Sequence, residues 1–285
     1  MARRKKISAK YTTIDSELDI YYQESGYGDI PILLVPGWTM TTRAFEHQLD
    51  FFSTSEDYRF ITYDPRAHGQ SSKTISGHFY EQHGRDLHQF IENLELDNVI
   101  LGGWSFGTLA TLSYLNQFEH NHLRGFIMLD GPPRATGKDN KTDWATYRYD
   151  DADHFQKFFT LERLTDSKKT NREFAQWMLE DRSEKNIEVI LSMTIQTPDT
   201  SAALLNATAN FLDYREDLIS LETALPLIYI VREQQKEVVS QWAKNHTPSA
   251  QVTAFGEHMM FWERPQEFNR VLVEYADMCR RNFTP

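Results

Sequence analysis

The pentapeptide Gly-Trp-Ser-Phe-Gly at positions 103–107 joins two stretches whose apolar residues follow different patterns. Residues 98–102 form a short apolar run typical of a buried strand, whereas apolar residues between 109 and 115 recur at helical spacing. A serine between two glycines at such a junction predicts a sharp turn, because a side chain at either glycine would collide with neighbouring backbone. We therefore expect the Ser105 hydroxyl above a sheet edge. The Phe106 backbone N–H is expected at a helix N-terminus, where it can donate to an oxyanion.

Short apolar strands alternate with amphipathic helices before and after this pentapeptide. The candidate strands are residues 32–35, 58–63, 99–102, 125–129, 226–231 and 252–255. The candidate helices are residues 43–52 and 79–94, a helix through Trp242, and a closing helix from Pro265. This alternation predicts an α/β fold with a mostly parallel, doubly wound sheet. Two alternating segments, 10–14 and 18–24, predict an antiparallel hairpin at one edge of that sheet.

The alternation is interrupted between residues 134 and 198, where no buried strand is predicted. This segment reads as helical material rich in aromatic residues and methionine: Phe155, Phe158, Phe159, Phe174, Trp177 and Met178. A helical insertion in an α/β sheet predicts a cap over the strand ends, where ligands bind in this architecture. An ordinary helical subdomain without substrate contact is the alternative. The predicted division is 1–133 for the first part of the core, 134–198 for the helical cap and 199–285 for the second part of the core.

Composition excludes several classes of partner. A formal net charge of −11 disfavours nucleic acid and anionic membranes. No run approaches the roughly 18 apolar residues of a membrane span, and no apolar core of a secretory signal is present. The one cysteine, Cys279, fits a reducing compartment, so we expect a cytoplasmic protein that acts on a small molecule. Two histidine pairs, His78 with His83 and His120 with His122, lack further ligands, and we expect neither a metal nor a cofactor.

A serine hydroxyl needs a base and an oxyanion site to act as a nucleophile. His258 follows the last candidate strand, 252–255, and is therefore expected at the same sheet edge as Ser105. The backbone N–H of Trp38, in the turn after the first buried parallel strand, is the predicted partner of the Phe106 N–H in an oxyanion hole. A simple strand-ending turn is the alternative reading of the Trp38 segment.

Four motifs in order identify a resemblance. They are Pro-Gly-Trp at 36–38, Asp-Pro-Arg-Ala-His-Gly-Gln-Ser at 64–71, the pentapeptide at 103–107 and Gly-Glu-His at 256–258. Through them the chain resembles the α/β-hydrolase superfamily from about residue 21 to 280. It is similar in detail to small capped esterases, C–C bond hydrolases and pimeloyl-ester-type carboxylesterases. The resemblance implies an α/β-hydrolase fold with a helical cap, Ser105 as nucleophile and His258 as base. Asp64, Arg66 and His68 are expected to be structural ties beneath the active edge.

The acid departs from the common pattern of that superfamily. Most relatives have an Asp after the strand represented here by 227–231, but Gln235 stands near that position and cannot carry the charge that stabilises an imidazolium. Asp130 directly follows the preceding strand, where haloalkane dehalogenases and cofactor-independent dioxygenases of the superfamily place their acid. Asp130 is therefore the predicted acid and Glu233 the alternative. A carboxylate that only caps backbone amides is the other reading of Asp130.

The leading interpretation is a serine hydrolase that acts on a small or medium apolar ester or related carbonyl compound. Its substrate is expected between the sheet edge and a cap lined by aromatic and methionine side chains. A cofactor-independent dioxygenase that uses the pair His258 and Asp130 is the alternative from another enzyme class. A non-catalytic receptor on the same fold is disfavoured, because a pure binder does not require nucleophile, base and acid together.

Overall fold

A computed structural model describes residues 4–15, 17–139 and 142–282. Its main sheet has eight strands within these residues: β1 Ile7–Ile14, β2 Leu18–Ser25, β3 Ile30–Val35, β4 Tyr58–Tyr63, β5 Val99–Trp104, β6 Leu123–Leu129, β9 Leu227–Val231 and β10 Gln251–Ala254. The strand order is β1-β2-β4-β3-β5-β6-β9-β10. The β1–β2 and β2–β4 pairs are antiparallel, and all other pairs are parallel. The predicted fold class and edge hairpin are confirmed.

Helices fill the connections between the strands. They are α1 Glu46–Phe52, α2 Tyr80–Asn93, α3 Gly107–Gln117, α4 Tyr149–Lys157, α5 Arg163–Thr165, α6 Ser167–Met178, α7 Glu184–Thr194, α8 Asp199–Ala209, α9 Arg215–Leu221, α10 Lys236–His246, α11 Met260–Glu263 and α12 Pro265–Asn282. All residues of β5 and β9 are buried, because helices cover both faces of a parallel sheet. None of the helices in the described residues is long and apolar enough to cross a membrane.

Several predicted elements differ at their ends: β1, β3 and β6 begin two or three residues earlier than predicted, and β10 lies one residue earlier. The predicted helix 43–52 begins as a 3₁₀ turn, Thr42–Phe45, before it becomes α1. Strand β5 extends two residues past its predicted end, because Gly103 and Trp104 continue the parallel ladder opposite Met128 and Leu129. The glycines at this point allow close approach of backbone and do not end the strand.

The insertion after β6 is helical apart from one short strand pair. Helices α4 and α5 are joined by a π-helical segment, Phe158–Glu162, and α6 and α7 follow. Two-residue strands, β7 Thr136–Gly137 and β8 Tyr147–Arg148, form a small parallel pair that the sequence pattern does not predict. Helix α8 packs against the π-helical segment, α5 and α2, so it contacts both the insertion and the core. The division at residue 198 stays a prediction, and the predicted cap includes residues 140 and 141, which lie outside the described residues.

Candidate active site

The pentapeptide forms a strained turn between β5 and α3. Ser105 has a φ of 54°, in the left-handed region that non-glycine residues rarely adopt. A Cβ on Gly103 would lie 2.4 Å from the backbone of Gly107, and one on Gly107 would lie 2.5 Å from the Val35 carbonyl oxygen. The Ser105 N–H donates to the Leu129 carbonyl at 2.9 Å, which ties the turn to the end of β6. The turn therefore fixes the Ser105 side chain at the carboxyl edge of the sheet.

His258 and Asp130 meet at the same edge. Asp130 directly follows β6 with a φ of 42°, and its N–H donates to the Ile230 carbonyl at 2.8 Å. Nδ1 of His258 lies 2.5 Å from Oδ2 of Asp130. The His258 backbone carbonyl accepts a hydrogen bond from Trp104 Nε1 at 2.9 Å, so the loop that carries the imidazole is anchored to the end of β5. Nε2 of His258 is buried without a hydrogen-bond partner among the described residues, and His258 and Ser105 line one cavity.

The charges around this pair favour an ionised acid and a neutral base. Burial alone would raise the pKa of Asp130, but the Arg232 charge and the hydrogen bonds from His258 and the Arg232 N–H lower it. Burial lowers the pKa of His258, and Arg232 lowers it further, against the opposing effects of Asp130 and Glu257. A neutral imidazole whose Nδ1–H donates to a carboxylate has Nε2 free to accept a proton.

The two predicted oxyanion donors lie beside Ser105. Within the described residues neither the Trp38 nor the Phe106 amide N–H donates a hydrogen bond, and both residues line the cavity. A Cβ on Gly37 would lie 3.0 Å from the Ser105 Cβ, so the Trp38 turn approaches the serine closely. The Trp38 indole donates to the Ala202 carbonyl at 2.8 Å, which fixes this turn to α8. The geometry is compatible with two unpaired N–H groups that face one oxyanion.

The predicted structural ties have partners within the protein. The Asp64 carboxylate accepts hydrogen bonds from backbone amides of Thr42 and Gln70, each at 2.7 Å. Arg66 forms a two-pronged ion pair with the buried Asp86, at 2.8 and 2.7 Å.

His68 ties the Trp38 turn from below. Its Nε2 accepts from the Thr39 N–H at 3.1 Å, directly after the predicted oxyanion residue Trp38. Thr39 has a φ of 61°, so this hydrogen bond holds a strained backbone position. The positions of Asp64, Arg66 and His68 agree with the structural role expected for them.

The alternative acid lies outside the cavity. The Glu233 side chain is 59% exposed and its carboxylate is 3.6 Å from Lys236 Nζ. Glu233 and Gln235 belong to a 3₁₀ turn after β9, and only Gln235 of the two lines the cavity. The structure thus brings Ser105, His258 and Asp130 together and leaves Glu233 apart.

The cavity has a volume of about 220 Å³ and lies between the sheet edge and the insertion. The predicted cap aromatics line it: Phe155, Phe158, Phe159, Phe174 and Trp177. The predicted methionine lining is wrong, because Met178 is fully buried in the packing of the insertion and no methionine lines the cavity among the described residues. The apolar part of the lining is mainly aromatic, and polar side chains that include His154, Glu173 and Asn206 share the cavity with it.

Several lining residues were not predicted from the sequence, among them Trp144 and Arg232. Trp144 lines the cavity and packs against Tyr229 and Trp242, with ring centroids 4.8 and 5.4 Å apart. Arg232 lines it beside Asp130. The sequence signal that could have pointed to Arg232 is a cation directly after a strand that ends at the active edge.

Comparison with known proteins gives a consistent result. A family model described as the alpha/beta hydrolase fold matches residues 30–265. The AB hydrolase superfamily protein YisY of Bacillus subtilis is 26% identical over 282 residues, which cover 94% of this chain and 98% of that protein. A putative non-heme chloroperoxidase of Synechocystis is 33% identical over 134 residues, 46% of this chain and 48% of that protein, so the match spans about half of that relative's length.

Solved structures share the whole architecture. The bromoperoxidase from Bacillus anthracis has a TM-score of 0.80 at 23% identity and covers 95% of this chain and 100% of its own. An esterase from Exiguobacterium antarcticum has a TM-score of 0.78 at 19% identity, with 95% and 100% of the two chains covered. At 23% and 19% sequence identity, these structural similarities establish the fold of this chain and nothing further.

Proposed function

Because this chain belongs to the α/β-hydrolase fold family, we propose that it is a serine hydrolase that cleaves small or medium apolar esters through Ser105, His258 and Asp130. The observation that carries the proposal is the orientation of His258. Its Nδ1 is held by Asp130, and its Nε2 is unpaired in the cavity that Ser105 lines. This arrangement leaves the imidazole ready to take the serine proton.

The reaction proceeds by acyl transfer. The Ser105 Oγ attacks the ester carbonyl carbon while His258 Nε2 takes the hydroxyl proton, and the amides of Trp38 and Phe106 stabilise the negative oxygen. The tetrahedral intermediate collapses as His258 returns the proton to the leaving alcohol oxygen. Water, deprotonated by the same imidazole, then attacks the acyl-enzyme, and His258 returns the proton to the departing Ser105 Oγ as the acid is released. The negative charge of Asp130 stabilises the imidazolium in both halves of the cycle.

The lining of the cavity favours apolar substrate groups. Phe155, Phe158 and Phe159 line it opposite the sheet edge, and Phe174 and Trp177 extend this surface along α6. Aromatic rings offer large apolar contact areas and edge-to-face packing for aromatic groups. A short acyl chain or an aryl group fits this surface better than a charged one. Esterases are among the structural neighbours, which is compatible with the proposal.

Hydrolysis of p-nitrophenyl esters of increasing acyl length tests the proposal. We expect hydrolysis of short and medium acyl esters and stoichiometric labelling by a fluorophosphonate probe. Both are expected to disappear in Ser105→Ala. A matched control, Ser240→Ala, removes an exposed hydroxyl on α10 and is expected to retain both. Labelling that persists in Ser105→Ala contradicts Ser105 as the nucleophile.

The second candidate is a cofactor-independent dioxygenase. Two observations favour it. The carboxylate beside His258 belongs to Asp130, at the position where the resemblance places the acid of such dioxygenases, and Gln235 stands where most relatives carry an acid. The pair His258 and Asp130 would then deprotonate a heteroaromatic substrate. Oxygen consumption with a hydroxyquinolone, retained in Ser105→Ala, would favour this candidate over the hydrolase.

A further inference from the structure

Arg232, the residue after β9, lies against Asp130, the residue after β6. The Arg232 backbone N–H donates to Asp130 Oδ1 at 3.0 Å, and Arg232 Nε lies 3.5 Å from Asp130 Oδ2. Oδ2 is also the atom that faces His258 Nδ1. One residue therefore contacts both carboxylate oxygens of Asp130 and shares one of them with His258.

The guanidinium is held in place by the insertion. Arg232 Cζ lies 5.2 Å from the centre of the Trp177 ring, a cation–π distance. The same indole packs against His258, with ring centroids 4.9 Å apart. The Arg232 side chain is 21% exposed, so its charge acts in a partly desolvated place. Trp177 thus fixes the position of Arg232 relative to both members of the acid–base pair.

We propose that Arg232 is a positioning residue that orients Asp130 and whose fixed positive charge keeps His258 in its neutral, base-competent form under mildly acidic conditions. This role rests on the proposed hydrolase function. Arg232 acts through Asp130 and His258 and forms no bond to the reacting atoms.

The physical basis is a balance of charges at His258. Asp130 and Glu257 favour the imidazolium, whereas Arg232 and burial favour the neutral ring, and the pKa of His258 is lowered overall. Glu173, His154 and Tyr147 are further ionisable side chains that line the cavity. Without Arg232, burial alone opposes the effect of Asp130 and Glu257 on His258, so the imidazole takes up its proton at a higher pH. The rate, which requires the neutral imidazole, is then lost at a higher pH as well.

The test separates the charge of Arg232 from its hydrogen bonding. Arg232→Gln keeps an N–H donor near Asp130 but removes the charge, and Arg232→Lys keeps the charge but loses the planar stack on Trp177. We expect the acid limb of kcat/KM for a neutral p-nitrophenyl ester to move up by about one pH unit in Arg232→Gln. Arg232→Lys is expected to stay close to the wild-type limb. Lys236→Met removes an exposed positive charge from the same segment and is expected to leave the limb unchanged.

A second measurement does not depend on activity. The pKa of His258, followed by NMR titration of the imidazole in Ser105→Ala, is expected to rise by the same amount when Arg232→Gln is added. An unchanged His258 titration, or a limb that moves equally in Arg232→Gln and Arg232→Lys, overturns the proposal. Absence of ester hydrolysis together with a raised His258 titration contradicts the hydrolase function but supports the charge effect of Arg232.

Discussion

The adjacent strands β6 and β9 end at the same sheet edge, yet they contribute opposite charges. The buried carboxylate of Asp130 directly follows β6, whereas the half-buried cation of Arg232 directly follows β9. Two hydrogen bonds tie the two ends together: the Asp130 N–H donates to the Ile230 main-chain carbonyl, and the Arg232 N–H donates to the Asp130 side-chain carboxylate. Because parallel neighbours finish side by side, either strand end can present an acid to the histidine loop. In this chain the carboxylate that contacts His258 follows β6, and the cation that contacts this carboxylate follows β9.

Backbone conformation accounts for the difference between the two ends. Asp130 adopts a φ of 42°, and its carboxylate faces His258. After Arg232 the chain turns away through the 3₁₀ turn Glu233–Gln235, and the Glu233 carboxylate faces Lys236. Although the Glu233 side chain is one methylene longer than that of Asp130, the turn directs its carboxylate away from His258. The predictions below test this assignment of roles to the two ends.

The largest effect is expected at the proposed nucleophile, Ser105, whose activation depends on Asp130 and, through it, on Arg232. Ser105→Ala is expected to reduce kcat for p-nitrophenyl esters on the order of 10⁶-fold, because the acyl-enzyme can no longer form. Steady-state kinetics with a fluorophosphonate-labelling control measures this loss. Residual hydrolysis within a hundredfold of wild type contradicts an acyl-enzyme on Ser105, and neither strand end then has the role given to it.

The acid of β6 is expected to give the next largest effect. Asp130→Asn keeps the size of the side chain but removes the charge that stabilises the imidazolium, and we expect a loss of about 10⁴-fold in kcat. Circular dichroism checks that the variant is folded. A loss of kcat below tenfold means that another carboxylate supports His258, which contradicts the assignment of the acid role to Asp130.

The pH dependence of kcat/KM tests how the charges of Asp130 and Arg232 act on His258. Because the pKa of His258 is lowered, kcat/KM is expected to stay level down to a pH below the ordinary histidine range and then to fall about tenfold per pH unit. The pKa of Asp130 is lowered too, so its own protonation is expected only in stronger acid. A pH profile of kcat/KM measures this limb. If the acid-side fall of kcat/KM occurs at a pH above the ordinary pKa range of histidine, the charge of Arg232 does not act on His258.

The smallest effect is expected at the rejected acid of β9. Glu233→Gln is expected to keep kcat within about tenfold of wild type, or ~1.4 kcal/mol in the barrier, because its carboxylate is exposed and paired with Lys236. The same kinetic assay compares it with Asp130→Asn. A loss as large as that of Asp130→Asn transfers the acid role to β9.

The parts predicted from the sequence are those governed by local patterns. The bounds of β4 were predicted without error and those of α2 within one residue at each end, because buried strands and amphipathic helices have distinct periods. Ser105, His258 and Asp130 were placed at one edge because each follows a strand of a parallel sheet. Their catalytic roles remain predictions.

The parts that were missed depend on packing between distant segments. Trp177 and Met178 are neighbours in sequence but lie about 100° apart around α6, so one lines the cavity and the other is buried elsewhere. The role of Arg232 depends on its distance from Asp130, which lies 102 positions earlier in the chain. No local pattern reports such a contact, and the β7–β8 pair is too short to give a period.

The central claim is that the acid of β6 holds His258, and the His258 Nδ1 proton reports this contact directly. In the ¹H NMR spectrum of the wild-type protein we expect a low-field imidazole proton, assigned to His258 by ¹⁵N-histidine labelling and by its loss in a His258→Gln variant. The account predicts that this resonance remains in Glu233→Gln and is lost or moves upfield in Asp130→Asn. A resonance that remains in Asp130→Asn and disappears in Glu233→Gln would contradict it.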